Sequence, residues 1–302
     1  MEKRMLGRTG LEVSVVGVGT LSISTFFGPV DDNESIKTLH AAIDAGMNFI
    51  DTSDAYGMGH SEKIVGKFLK ERSDRNQILI CTKGGNNMVT RQRDFTPRYI
   101  QGCLEASMAR LGVDAIDLYL LHNPTVENMT KRDSFDLLEN FVREGKIKHW
   151  GVSVNTLPEC EMAIQSREPS VMQMEYNILT QNPEAVFEKA KAAGVGVISR
   201  VPLMRGFLAG RFGEGHEFAE GDIRRRILSA PEVTKFQAKL DHLQQIAEEL
   251  GKPAAEVAIE FCLSNPNVST VIPGIRTVEQ AKQNAASTQL LPPDVIDRLH
   301  RL

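Results

Sequence analysis

The sequence predicts an α/β fold, a (β/α)8 TIM barrel with an N-terminal β-hairpin and extra helical segments near the C-terminus. Three observations predict it. Short apolar runs alternate with longer amphipathic segments eight times along the chain. A length of 302 residues suits such a barrel, which typically runs to ~250 residues plus insertions. The competing architecture, a doubly wound dinucleotide-binding sheet, requires a G-x-G-x-x-G turn after its first strand. Gly17-Val-Gly19 begins that turn, but Ser22 stands where the third glycine belongs. No low-complexity linker or charge block interrupts residues 1–302, which are read as one domain.

In chain order, Arg8-Thr-Gly10 reads as the turn of a small hairpin, with Leu11-Glu-Val-Ser14 leaving it. Val15–Gly19 is the first strand, and Asn33 to Ala45 a helix ended by Gly46. Asn48–Asp51 forms strand two, followed by a helix from Ser61 whose apolar residues keep helical spacing. Ile78–Lys83 is strand three. Thr96 caps the next helix, with Pro97 at its first position and Gly112 beyond its end. Ile116–His122 is strand four, and Asp133–Arg143 the helix after it. Strand five, His149–Val154, leads to a helix capped at Thr156. Strand six is Val171–Tyr176, after which Asn182-Pro183 opens a helix that closes at Gly194. Val195–Arg200 and Val268–Ile272 are strands seven and eight, and Thr277 starts the helix that follows. The segment from Arg211 to Pro231 is too long for a plain connection. Leu291-Pro-Pro293 begins a short C-terminal helix.

Composition narrows the function classes. A formal net charge of -4 offers no basic surface for nucleic acid or anionic lipid, so neither is expected as a partner. No apolar run approaches the ~20 residues that span a bilayer. Gly7-Arg-Thr-Gly10 interrupts any signal-peptide core, and a cytoplasmic protein is expected. Cys81, Cys103, Cys160 and Cys262 are scattered without metal or redox spacing, and read as buried thiols; no metal site is expected.

Active residues of a barrel sit at the C-terminal ends of its strands. Asp51, Lys83 and His122 end strands two, three and four, so they converge at one mouth, with Tyr56 on the loop above. A tyrosine has a reference pKa of ~10; a lysine cation beside it lowers that value, and a carboxylate keeps the lysine charged. The expected chain is Asp51–Lys83–Tyr56, with Tyr56 as general acid toward a carbonyl oxygen and His122 donating a hydrogen bond to it. Singly, each residue has a structural reading: turn cap, solvated strand end, turn punctuation beside Asn123-Pro124, or packing. Four on one rim favour a site. Ser61 and Glu62 are read as the start of the next helix. An isomerase or aldolase using Lys83 as a Schiff-base amine needs a deprotonated lysine, which Asp51 opposes.

These motifs carry a resemblance. Asp51-Thr-Ser-Asp-Ala-Tyr-Gly57 with Gly59 and Ser61-Glu62, Cys81-Thr-Lys-Gly84 and Asp117-Leu-Tyr-Leu-Leu-His122 resemble the tetrad motifs of the aldo-keto reductases. The likeness runs from Leu6–Ser14 through Glu144–Ser153 to Ile272–Arg276, and is nearest to the bacterial-type and channel-β-subunit-like members. It implies NADPH-dependent reduction of an aldehyde or ketone, or the reverse oxidation of an alcohol or sugar. It also implies an alternative, a nicotinamide-binding redox-sensing or regulatory subunit with slow turnover. By the same resemblance Ser153 and Gln173 hold the nicotinamide carboxamide, with Thr20 and Asp51 also in the cofactor set. Pro202, Leu203, Gly206 and Leu208 follow the pyrophosphate, with Arg211 in place of a lysine. Gly274, Arg276, Gln280 and Asn284 surround the 2'-phosphate and adenine; NH groups at a helix start and an arginine fork suit a phosphate.

Two positions depart from the family pattern. Val154 stands where an amide is usual, and its neighbour Asn155 is expected to point the other way. Arg200 occupies the position that often carries an aromatic stacked on the nicotinamide; its planar guanidinium can stack while adding positive charge. Leu21–Val30 with Phe26-Phe27, Asn87-Met88 and the 211–231 segment are expected to shape an open pocket for a small carbonyl or alcohol.

Overall fold

The structure, a computed structural model, describes residues 1–302 except 211, 213–215 and 229. The strands are β1 (Lys3–Met5), β2 (Glu12–Ser14), β3 (Val18–Gly19), β4 (Phe49–Asp51), β5 (Leu79–Gly84), β6 (Asn86–Asn87), β7 (Gln92–Arg93), β8 (Ile116–His122), β9 (Ile147–Ser153), β10 (Val171–Glu175), β11 (Gly196–Arg200) and β12 (Thr270–Ile272). β3, β4, β5, β8, β9, β10, β11 and β12 pair in that order, parallel throughout. Parallel bridges Val16–Val271 and Gly19–Gly274 join the first strand to the last and close the barrel. The (β/α)8 expectation therefore holds. β1 and β2 form the antiparallel N-terminal hairpin.

The helices are α1 (Asp32–Asp44), α2 (His60–Glu71), α3 (Pro97–Leu111), α4 (Val126–Lys131), α5 (Asp133–Arg143), α6 (Leu157–Ser166), α7 (Glu184–Ala192), α8 (Arg224–Ile227), α9 (Ala230–Glu249), α10 (Ala254–Ser264), α11 (Val278–Ala286) and α12 (Pro293–His300). None among the described residues is long and apolar enough to cross a membrane.

Caps explain the helix starts. Asp31 accepts from the backbone NH of Asn33 and Glu34, so α1 begins earlier than its apolar pattern suggests. Thr156 and Glu159 form a reciprocal capping box. Thr96 precedes α3, but its hydroxyl makes no cap; it donates to the Asp94 carboxylate at 2.7 Å, a stronger acceptor nearby. The short α4, unseen in the sequence pattern, starts on a Thr125/Asn128 capping box, and left-handed Arg132 separates it from α5. The first strand is shorter than expected: Val15 donates to Glu2 of the hairpin at 3.1 Å while its carbonyl accepts from Val271 of β12 at 2.9 Å, so it is shared between hairpin and barrel.

Two apolar layers result. Leu118 and Leu120 point into the barrel with Phe49, Cys81, Val171, Ile198 and Ile272. Tyr119, Leu121, Trp150 and Val152 point outward to the helices, as strand alternation requires. Leu6 and Val13 of the hairpin belong to the inner group and plug the barrel at the end opposite its mouth. The plug fits only because Gly7 lies against Gly196: a Cβ on Gly7, whose φ is +55°, would sit 2.2 Å from the Gly196 nitrogen. Gly10 also has positive φ, at +73°, but open space beside it.

Gly7→Ala should therefore lose overpacking energy of about 1–3 kcal/mol beyond the left-handed strain that Gly10→Ala alone suffers. Denaturant unfolding of both variants measures the difference; equal losses would mean the hairpin does not press on the barrel floor.

Candidate active site

Lys83 and Asp51 are 0% and 1% exposed. Burying two charges is tolerable only when they meet each other and every remaining lone pair and proton is satisfied. Lys83 Nζ donates to Asp51 Oδ1 at 2.6 Å, to the Thr52 carbonyl at 2.8 Å and to the Tyr56 hydroxyl at 3.4 Å. The second Asp51 oxygen accepts from Gln173 Nε2 at 2.7 Å, and Gln173 Oε1 accepts from Ser153 Oγ at 3.2 Å. One polar layer thus crosses β5, β4, β10 and β9. Burial pulls the Lys83 pKa down, but the charge of Asp51 and its hydrogen bond to the ammonium outweigh it, and the ammonium is held above its ordinary value.

Tyr56 departs from the expected direction. Burial pushes its phenol above the usual value; Lys83 and Arg200 pull it back, and Asp51 adds to the rise. Desolvation exceeds the lysine's effect, so the resting hydroxyl is protonated. His122 stands edge-on to the Tyr56 ring, centroids 6.0 Å apart at 82°. Burial, then the nearby Lys83, Arg200 and Arg93 charges, hold its imidazole well below its ordinary pKa, so it is neutral. Its Nδ1 lies 3.0 Å from Ser53 Oγ. Ser53 went unnoticed in the sequence because nothing in Thr52-Ser53-Asp54 signals a partner on another strand.

A cleft of about 380 Å³ opens over this layer. Asp51, Tyr56 and His122 form part of its wall, together with Thr20, Gln173, Arg200, Pro202, Leu203 and Gly206. Gly274, Arg276, Gln280 and Asn284 line the same cleft. Ser153 does not; it sits behind Gln173 and is 1% exposed. Arg211 lies outside the described residues. Leu208 is buried and packed in the outer core. Asn155 turns into the cleft while Val154 packs in the core, and Glu159 fixes this turn by accepting from the NH of Asn155 at 2.8 Å.

Positive charge gathers here. Arg200 donates to Asn155 Oδ1 at 2.7 Å and lies 3.4 Å from Glu175, which also pairs with Arg205 at 3.6 Å. Arg276 donates to the carbonyls of Phe27 and Pro29 at 2.6 and 2.7 Å, fastening the loop after the first barrel strand. Arg224 lies 4.8 Å from the Phe27 ring centre, and Ile223 NH donates to Phe26 at 2.9 Å. The long 211–231 segment therefore meets the first loop across the cleft. Among the described residues, four arginines and one acid, Asp51, line its wall, a composition that favours an anionic occupant.

A closed barrel with this mouth is the architecture of a class of barrel oxidoreductases. Within that class, the chain belongs to the aldo/keto reductase family, whose model matches residues 15–302. The aldo-keto reductase YhdN of Bacillus subtilis (strain 168) is 30% identical, over 91% of this chain and 85% of the relative. The holo form of aldo-keto reductase AKR11C1 from Bacillus halodurans has a TM-score of 0.82 at 28% identity, covering 100% of this chain and 96% of its own. The glycerol dehydrogenase AKR11B4 from Gluconobacter oxydans has a TM-score of 0.82 at 26% identity, covering 99% and 95%.

The neutral state of His122 has a consequence for stability. The unfolded chain takes up a proton near pH 6.5 that the folded site refuses, so this residue's contribution falls as pH drops below that value. Replacing His122 by Asn should flatten that part of the stability profile in denaturant titrations. An unchanged slope would show an imidazole that titrates normally in the folded protein.

Proposed function

We propose that the protein is an NADPH-dependent carbonyl reductase that converts an aldehyde or ketone to an alcohol, or runs the reverse oxidation, with residues 1–302 acting as one unit. The observation that carries the reading is the pairing of a protonated, half-buried Tyr56 with a neutral His122 on one wall of the cleft, above a fully buried Lys83–Asp51 pair. NADPH, when bound, supplies the hydride.

The cleft suits that cofactor. Its arginines favour an anion, and Gly274 offers exposed backbone with no side chain in front of the helix that starts at Thr277. Arg276, Gln280 and Asn284 would hold the phosphate and adenine end. Gln173 and Arg200 would meet the nicotinamide end, with Ser153 acting behind Gln173.

The chain's own residues handle the proton. Tyr56 gives its hydroxyl proton to the carbonyl oxygen as negative charge develops there. Lys83, held charged by Asp51, stabilises the phenolate left behind. His122, uncharged, can hydrogen-bond the same oxygen without competing to protonate it. In the oxidation direction the phenolate takes the proton from an alcohol. The glycerol dehydrogenase of the same fold is named for an alcohol substrate, which supports including that direction. The net charge of -4 supports a small-molecule substrate over nucleic acid or an anionic membrane surface, and a cytoplasmic setting belongs to the same reading.

Tyr56→Phe should lower kcat about 10²–10⁴-fold and leave NADPH binding by fluorescence titration unchanged; full turnover would overturn the assignment of the acid. Arg276→Met should weaken NADPH binding roughly tenfold, about 1.4 kcal/mol, and leave NADH binding as it was. Equal effects on both cofactors would remove the 2'-phosphate role from Arg276.

A further inference from the structure

Asp54 is two residues from Tyr56 yet faces away from the cleft. It lines a second cavity of about 690 Å³ between the Tyr56 loop, the β6–β7 hairpin and α3. Among the described residues, none lines both this cavity and the cleft that holds Tyr56 and His122. Ser53 stands between the two: its Oγ is 3.0 Å from His122 Nδ1 and 3.3 Å from Asp54 Oδ1, and it accepts from the Ala55 NH at 3.2 Å.

We propose that Asp54 and Ser53 are positioning residues for His122: the Asp54 carboxyl, acting through the Ser53 hydroxyl, decides which imidazole nitrogen carries the hydrogen, and so whether Nε2 offers the reacting oxygen a donor or an acceptor. The inference rests on the role given above to His122.

A serine hydroxyl has one proton and two lone pairs, and one lone pair is already used by the Ala55 NH. When Asp54 is protonated, its O–H occupies the second lone pair. Ser53 then gives its only proton to His122 Nδ1, which leaves the ring hydrogen on Nε2, a donor toward a carbonyl. When Asp54 is ionised, the carboxylate is the stronger acceptor and draws the Ser53 proton to itself. The free lone pair now accepts from Nδ1–H, and Nε2 becomes an acceptor suited to an alcohol O–H. Ser53 is saturated in both states, so neither leaves a buried polar atom orphaned. The Lys83 carbonyl, 3.4 Å from Ser53 Oγ, is the more distant alternative acceptor.

The surroundings of Asp54 place its change of charge in a useful range. Burial and the Glu62 carboxylate of α2 push its pKa up to about 6, against hydrogen bonds from Cys103 and Ser53 and the charge of Arg110, the cysteine and arginine on α3. Tyr99 of α3 and Tyr119 of β8 also feel the Asp54 charge, and the Tyr119 hydroxyl is buried without a partner. Burial, and then the Lys83, Arg200 and Arg93 charges around it, hold the His122 ring neutral. Because Asp54 opens on its own cavity, it can equilibrate with solvent while the cleft is filled.

The test is nitrogen NMR of the histidine-labelled protein, which reads the tautomer without turnover, combined with pH profiles in both reaction directions. In the wild type, His122 should pass from the Nε2–H to the Nδ1–H tautomer as pH rises through about 6. Over the same range kcat/KM should fall in both reaction directions together, by roughly tenfold more than in Asp54→Asn or Ser53→Ala, whose tautomer should no longer respond to pH. A wild-type tautomer constant from pH 5 to 8 (roughly one unit or more either side of the transition), or a switch that persists in both variants, would overturn the inference. Failure of the reductase reading would look different: no turnover by the wild type, with the tautomer switch intact.

Discussion

Everything at the mouth of this barrel depends on an ion pair removed from water. Lys83 and Asp51 have essentially no exposed surface, and removing one member of such a pair typically costs about 3–5 kcal/mol because the other charge is left uncompensated. The pair persists because the strands around it supply the remaining hydrogen bonds: a Thr52 carbonyl for the ammonium, a Gln173 amide for the carboxylate, and Ser153 to orient that amide. Parallel register makes this possible. Gly19 pairs with Asp51, His122 with Ser153 and Ser153 with Gln173, which brings residues far apart in sequence to one level of the barrel. Gln173 therefore serves the charge pair directly and Ser153 serves it through Gln173, whatever else they touch.

The same layer sets the protonation states above it. Tyr56 lies close enough to Lys83 for the ammonium to act on its hydroxyl, yet burial has the larger effect and keeps the proton in place at rest. Under the proposed mechanism a phenol held this way is a weak acid at rest and becomes a better one during reaction, because the lysine's attraction grows once the phenolate forms. His122 is treated oppositely by the same cations: they and its burial deny it a charge. Two neighbours thus have distinct roles from one electrostatic environment.

Much of this was legible in the sequence because it follows from periodicity and strand ends. Eight apolar runs suffice to predict a barrel, and the ionisable residues that end strands two, three and four suffice to bring Asp51, Lys83 and His122 to one rim. α4 escaped because six residues with little apolar content carry no helical period. Thr96 misled because a cap and an Asx turn use the same residue types, and Asp94 won its hydroxyl. The direction of the Tyr56 shift required knowing its depth, which no pattern of neighbours encodes. Ser53 and Glu62 escaped for a related reason. Glu62 suits the first turn of a helix, but it is fully buried and bonded at 2.6 Å to both Thr82 and Arg110, contacts made across 20 and 48 residues of chain.

That hidden carboxylate connects the two sides of the Tyr56 loop. Glu62 anchors α2 to β5 and α3, and its charge also helps to raise the pKa of Asp54. The loop from Asp51 to Glu62 is consequently held at both ends by buried acids, one neutralised by Lys83 and the other by Arg110. Between them Ser53, Asp54 and Tyr56 face three different environments: the back of His122, a separate cavity and the cleft. A backbone fixed this firmly lets adjacent residues keep different protonation states, because none can relax toward the charge that would stabilise it.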